Sequence, residues 1–208
     1  MKKMITIVLL LASTTVWAQG KFEAGMSKAL ELMQKSKTPA EMLETASFFE
    51  RIADAEKDKW LPYYYAAFNK YLVGMNDKNA DKDKIAAQCL ELIEKAEALE
   101  KNADLYCLRQ QVAVLQMMVD PMNRWQTYNG IANEALNNAK KLNADNPRIY
   151  YLEGMTLFNT PSAYGGGKEP AKQLFQKSVD LFQKYQPATP FHPNWGKEMA
   201  SKMLAACQ

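Results

Sequence analysis

Apolar residues recur every three or four positions along most of the chain beyond residue 20, and two-residue alternation is nearly absent. That periodicity predicts helices throughout and no sheet. Ala29, Leu30, Leu32 and Met33 open a first stripe. Thr38-Pro39-Ala40-Glu41 reads as a helix start, with a threonine cap, proline at the first helical position and glutamate three residues after the cap. Met42, Leu43, Ala46, Phe49, Ile52 and Ala53 follow at helical spacing. Further helices are predicted over Trp60–Met75, Ile85–Leu99 and Asp104–Val119, then from Asp120-Pro121 to near Leu142, over Arg148–Phe158 and over Pro170–Tyr185. Asp120-Pro121 and Asn146-Pro147 repeat the cap-plus-proline device. Pro187, Pro190 and Pro193 break the pattern before a short amphipathic helix, Asn194–Ala206. That helix carries Trp195, Met199, Met203 and Leu204 on one face, suited to covering the end of the last repeat.

The helices pair, and the pairs repeat. The second helix of a pair carries a small residue, a large apolar one four positions later and a small one three after that. The sets are Cys89, Ile93, Ala96; Ala132, Leu136, Ala139; and Ala171, Phe175, Ser178, with a weaker copy at Phe48, Ile52, Ala55. Their last members lie 41, 43 and 39 residues apart in chain order. Small residues let antiparallel helices approach, the large one fills the groove between them, and a fixed period of this size marks a helical solenoid. The small-x-x-x-large-x-x-small pattern resembles the tetratricopeptide repeat (TPR) consensus, and Tyr150-Tyr151-Leu152-Glu153-Gly154 is similar to the aromatic and glycine positions of that family's first helix. The resemblance runs from about Gly25 to Tyr185, with repeats longer than the family's usual unit of about 34 residues. It implies an all-α, TPR-like solenoid of about four antiparallel hairpins, closed by a C-terminal capping helix. Tyr164-Gly165-Gly166-Gly167-Lys168 also resembles a Tyr-Gly-Gly loop of exported TPR-like proteins associated with tripartite (TRAP) transporters.

The first residues read as an export signal. Lys2 and Lys3 precede an apolar run, Met4 to Ala12, and Val16-Trp17-Ala18 suits cleavage after Ala18, with no cysteine there to make a lipobox. The expected organisation is a signal peptide over 1–18 and one helical domain over 19–208, exported to the periplasm or beyond and soluble once cleaved. No later segment is apolar enough to insert in a membrane. Loss of the two lysines lowers the net charge from +3 to +1, which argues against nucleic acid as a partner. An odd number of cysteines (Cys89, Cys107 and Cys207) is no disulfide framework. A bridge between Cys89 and Cys107 is conceivable, and burial as small apolar residues is the plainer reading.

The inventory for catalysis is thin. His192 is the only histidine, so neither a multi-histidine zinc site nor a histidine-based nucleophile system is indicated, and no cofactor is expected. Asp77 to Asp83 resembles the front of a calcium loop, but Lys82 and Gln88 stand where glycine and glutamate are needed. Gly165, Gly166, Gly167 and Lys168 could cradle an anion before a helix, or the glycines could simply turn a long loop. Because the first helices of such a stack line its concave face, Tyr64, Asn69, Arg109, Tyr151 and Met155 are candidates for a binding groove. The alternative is that these residues pack between repeats. The leading functional expectation is a non-catalytic interaction protein holding a protein or peptide. A carrier of a small apolar ligand, or a transporter accessory protein, is the alternative, and an envelope enzyme ranks last.

Overall fold

A computed structural model describes residues 20–208; the predicted signal peptide lies outside the described residues. Among these residues every regular element is helical. α1 runs through residues 20–35, followed by α2 (Pro39–Ala55), α3 (Trp60–Asn76), α4 (Lys82–Leu99), α5 (Ala103–Met117), α6 (Pro121–Leu142), α7 (Pro147–Asn159), α8 (Lys168–Lys184) and α9 (Lys197–Ala206). The predicted starts hold in detail. Thr38 and Glu41 form a reciprocal capping box, and the side chains of Asp120 and Asn146 accept backbone N–H bonds ahead of Pro121 and Pro147. One boundary moves. Trp195 precedes the last helix, because Gly196 at φ 107° turns the chain into α9. A Cβ on Gly196 would sit 2.8 Å from the Phe182 ring, so both the backbone angle and the close approach call for glycine.

The odd helices stand side by side, α3 against α5 and α5 against α7, while α4, α6 and α8 pack as their hairpin partners. The three repeat sets lie on the packed faces: Cys89, Ile93, Ala96, Ala132, Leu136, Ala139, Ala171, Phe175 and Ser178 are all buried. In α7 the close approach is extreme, since a Cβ on Gly154 would fall 2.6 Å from the Phe175 ring. The weak first copy sits in a different register. α2 buries Thr45, Ala46, Phe49 and Ala53, leaving Ala55 exposed and Phe48 half-buried. α9 packs on α8, where a further first helix would stand, and so covers the end of the stack.

The buried side chains form two clusters. One joins α1 to α5 around Phe49, Tyr64, Ile93 and Leu108; the other joins α5 to α9 around Leu136, Ile149 and Phe175, so α5 contributes to both. Trp195 touches both. The three cysteines are free and buried. Cys89 belongs to the first cluster, with its thiol directed at the Ala67 carbonyl 3.3 Å away, and Cys107 belongs to the second. The conceivable Cys89–Cys107 bridge is therefore not made: the two thiols face different cores.

Candidate functional site

Helical spacing puts Trp60, Tyr64, Phe68, Tyr71 and Met75 on one line of α3. Asp104, Gln111 and Met118 form the corresponding line on and just beyond α5, and Arg148, Tyr151 and Met155 on α7. These lines make the inner face of the stack, and its two halves have different occupants.

The half near the start of the odd helices is filled by the chain itself. The segment between α8 and α9 lies back across it. Tyr65 donates from its hydroxyl to the Phe191 carbonyl at 2.9 Å, and Tyr185 to the Pro193 carbonyl at 3.1 Å. Arg148 also donates to the Pro193 carbonyl, and Trp195 donates from Nε1 to the Tyr64 hydroxyl at 2.7 Å. His192, the lone histidine, stacks edge-on against Trp60 and bonds Thr189 through Nδ1. Phe191 meets Phe22 edge-on at 6.0 Å.

Arg148 organises this half. Its side chain is fully buried, 3.2 Å from the Asp104 carboxylate, with Tyr185 and Trp195 under the guanidinium plane at 4.7 and 5.3 Å. Asn146 adds a 2.8 Å bond to the same carboxylate. A buried charge pair survives only with such company, because desolvating either ion alone costs several kcal/mol. Nothing in the sequence marked Arg148 for the core. It follows a helix cap and proline, where arginine usually faces water.

The other half is open. Trp195 closes its inner end, stacked on Phe68 at 5.6 Å and edge-on to Tyr151 at 6.4 Å, and remains partly accessible. Beyond it lie Tyr71, Met75, Gln111, Met118, Tyr151 and Met155, with Met199 of α9 set 3.8 Å from the Tyr151 hydroxyl. Met75, Met118 and Met199 are each about two-fifths exposed, outside the buried core. Burial, with the Tyr151 phenol nearby, pushes the Tyr71 phenol above its usual range, opposed by a hydrogen bond with the Gln111 side chain; burial raises Tyr151 too. Both phenols are therefore hydrogen-bonding groups rather than anions at neutral pH.

Of the candidates from sequence, Tyr151 and Met155 lie on the open half. Tyr64 is on the correct line but buried beneath Trp195. Asn69 is a correction: it is fully buried on the opposite side of α3 and bonds the Tyr65 carbonyl one turn back. Arg109 is a second correction. It points to the far side of α5, gripping Glu97 through two bonds of 2.6 and 2.8 Å. There it lines a separate cavity of about 380 Å³ with Leu90, Tyr106 and Glu134. In the glycine loop the amides of Gly165, Gly166 and Gly167 donate to the carbonyls of Ser162, Pro161 and Leu157, so these three amides serve the turn. Asp77 and Asp81 accept backbone N–H bonds of their own loop, and Asp83 pairs with Arg124 at 2.7 Å. Among the described residues no acidic, cysteine and histidine cluster suits a metal ion.

The arrangement defines a class: an all-α stack of antiparallel hairpins whose inner face is filled in one half by the returning C-terminal segment and carries aromatic and partly exposed methionine side chains in the other. No protein-family model matches the chain, and no curated protein matches it. A solved structure does. The HusA haemophore from Porphyromonas gingivalis superposes with a TM-score of 0.80 at 30% sequence identity, over 89% of this chain and 92% of that one. The chain belongs to the family of that haemophore. No described helix is long and apolar enough to cross a membrane.

Proposed function

We propose that this protein is an exported carrier of a tetrapyrrole of the haem class, held in the open half of the inner groove. The observation that carries the reading is the juxtaposition of family and site. A relative named as a haemophore shares the fold over nearly its full length, and this chain offers an apolar cleft on the face where a flat ligand would lie. A macrocycle of that kind is wide, flat and polarisable. Thioethers and aromatic faces suit it, since methionine adapts to irregular shapes and contacts aromatic rings favourably. The cleft contains Met75, Met118, Met155 and Met199 beside Tyr71, Tyr151 and Trp195. This favours the small-ligand alternative over the protein-partner expectation, and carriage rather than catalysis. The TPR label remains a description of architecture, and the predicted signal peptide fits an exported role.

Titration of the purified protein with haem and with metal-free protoporphyrin, followed in the Soret region, tests the reading. Saturable one-to-one binding at micromolar or lower concentration is expected. Exchange of Met118 and Met155 for glutamate should weaken it by about tenfold or more, the cost of placing charge against an apolar ligand. Absence of saturable binding by either compound overturns the proposal.

A protein partner has one observation in its favour. Met118, Val119, Met122 and Trp125 form an exposed apolar corner between α5 and α6, beside the open end of the groove. A receptor for the loaded carrier would reach ligand and corner together. Trp125→Ser should leave tetrapyrrole affinity unchanged while abolishing capture by such a receptor; unchanged capture removes this second reading.

A further inference from the structure

A second opening lies on the far side of α5 from the inner groove. α4 and α6 both pack on α5, and residues of all three helices line the cavity of about 380 Å³ that holds Arg109. Its floor is one line of α5, Tyr106, Arg109, Ala113 and Gln116, at steps of three and four, which makes a trough about 15 Å long. Leu90 of α4 and Ile131 and Ala135 of α6 give the walls apolar surface. The volume falls within the range of small-molecule sites, and one side chain of a partner would leave much of it empty. The charged side chains reach the opening. Glu134 is exposed, and the side chains of Arg109 and Glu97 are 25% and 14% exposed.

The charged residues of the lining are Arg109, Glu97 and Glu134. Arg109 is already matched, since its Nε and Nη2 bond the two Glu97 oxygens. An anion would have to displace a bidentate carboxylate to use it. Glu134 has no ion pair or hydrogen bond among the described residues, so the lining carries a net negative charge. Glu94, on α4, adds a second negative charge near Arg109. The nearest free cation, Lys141, bonds Asn138 at one end of the trough, 3.2 Å from its Oδ1. We propose that this cavity is a second ligand site, for a linear aliphatic amine whose ammonium group pairs with Glu134 and whose methylene chain lies along Leu90, Ala113, Ile131 and Ala135. An ammonium on a methylene stem suits both features, because the head needs a carboxylate and the stem needs apolar surface. The Tyr106 hydroxyl and the Gln116 amide oxygen are further acceptors in the same lining. The site shares only α5 with the inner groove, and amine binding here is independent of tetrapyrrole binding there.

Calorimetric titration of the purified protein with 1,5-diaminopentane and with spermidine tests the proposal. 1,5-Pentanediol is the uncharged counterpart, and a trilysine peptide with blocked ends presents the same ammonium groups on a polypeptide. Saturable one-to-one binding of an amine below about 1 mM is expected, with none by the diol. Glu134→Gln, at an exposed position, should keep the fold and weaken amine binding about fivefold, the worth of one accessible ion pair. Arg109→Gln should act in the opposite direction. It leaves Glu97 without its cation and makes the cavity more negative, so amine binding should tighten about threefold, whereas loss of a merely packed arginine would loosen the site. Glu198→Gln, on α9, should change nothing. Absence of saturable amine binding, equal binding of the diol, an affinity unchanged by Glu134→Gln, or weaker binding by a folded Arg109→Gln protein overturns the proposal. Tighter binding of the trilysine peptide than of spermidine overturns the assignment to a free amine.

Discussion

The two halves of the inner face are built on the same helices and start from similar residues, yet one is core and the other is cleft. α3 contributes Trp60, Tyr64 and Phe68 to the first and Tyr71 and Met75 to the second. In the filled half, four side-chain hydrogen bonds from tyrosine, arginine and tryptophan fix the returning C-terminal segment. Among the described residues no segment returns across the open half, and the side chains turn from rigid aromatic to flexible methionine. Buried polar atoms without a partner occur in both halves, Arg148 Nε in the filled one and Gln111 Oε1 in the open one. The contrast teaches that an aromatic inner face is not by itself a binding site. What matters is whether the chain has already supplied the occupant.

If that division holds, mutations in the two halves should separate stability from binding. The largest effect is expected at Arg148. Arg148→Met leaves Asp104 buried without its cation and frees the Pro193 carbonyl, and should cost about 3–5 kcal/mol in a urea titration, with part of the loss recovered in the Arg148→Met, Asp104→Leu double variant. A single-variant cost below about 1 kcal/mol would mean that the filled half is not held as described. Trp195→Ala comes next, at about 2–4 kcal/mol, because it removes a large packed ring and strips the Tyr64 hydroxyl of its partner. Being the wall between the halves, it should also weaken ligand binding, which Arg148→Met should do only in proportion to unfolding. Met118→Ser in the open half should change stability by less than about 0.5 kcal/mol, the usual range for surface positions, while lowering ligand affinity measurably.

The smaller effects concern protonation. Burial pushes the Cys89 thiol up to about 12 and raises the Cys107 thiol and the Tyr64, Tyr65 and Tyr71 phenols as well. Folded-state values above the unfolded ones mean that the unfolded chain loses these protons first. The stability they represent is intact below the unfolded thiol range, near about pH 8.5, and drains away as pH rises through the folded values. A urea midpoint that falls steadily from about pH 8 to about pH 11 is the expected outcome, in a range that spans these model values. In the same vein, Cys89, Cys107 and Cys207 should resist a thiol reagent in the native state and react fully in denaturant. Rapid native reaction of Cys89 or Cys107 would show that the two clusters open readily.

Much of the fold is legible in the chain. Thr38-Pro39, Asp120-Pro121 and Asn146-Pro147 announce helix starts because capping is a local event between neighbours in sequence. Cys89-Ile93-Ala96 and its two later copies announce hairpins because a helix repeats its face every three or four residues. The inner-face placement of Tyr151 and Met155 was legible for the same reason, since both lie on one line of a first helix. The failures have a common cause. Asn69 and Arg109 sit on first helices, but a few tens of degrees of helix rotation decide which side a residue faces, and packing sets that rotation. Arg148 and Trp195 were not legible as partners because they meet across 47 residues of chain, in a segment whose prolines predicted only a break.

The sequence by itself determined the helices, their caps and their pairing into a repeating stack, all of which depend on contacts within a turn or between adjacent helices. Only the tertiary structure decided where the C-terminal segment goes, and with it which half of the aromatic face became core and which stayed open around Gln111. That choice depends on a buried ion pair and three long-range hydrogen bonds, and such contacts leave no periodic trace along a chain.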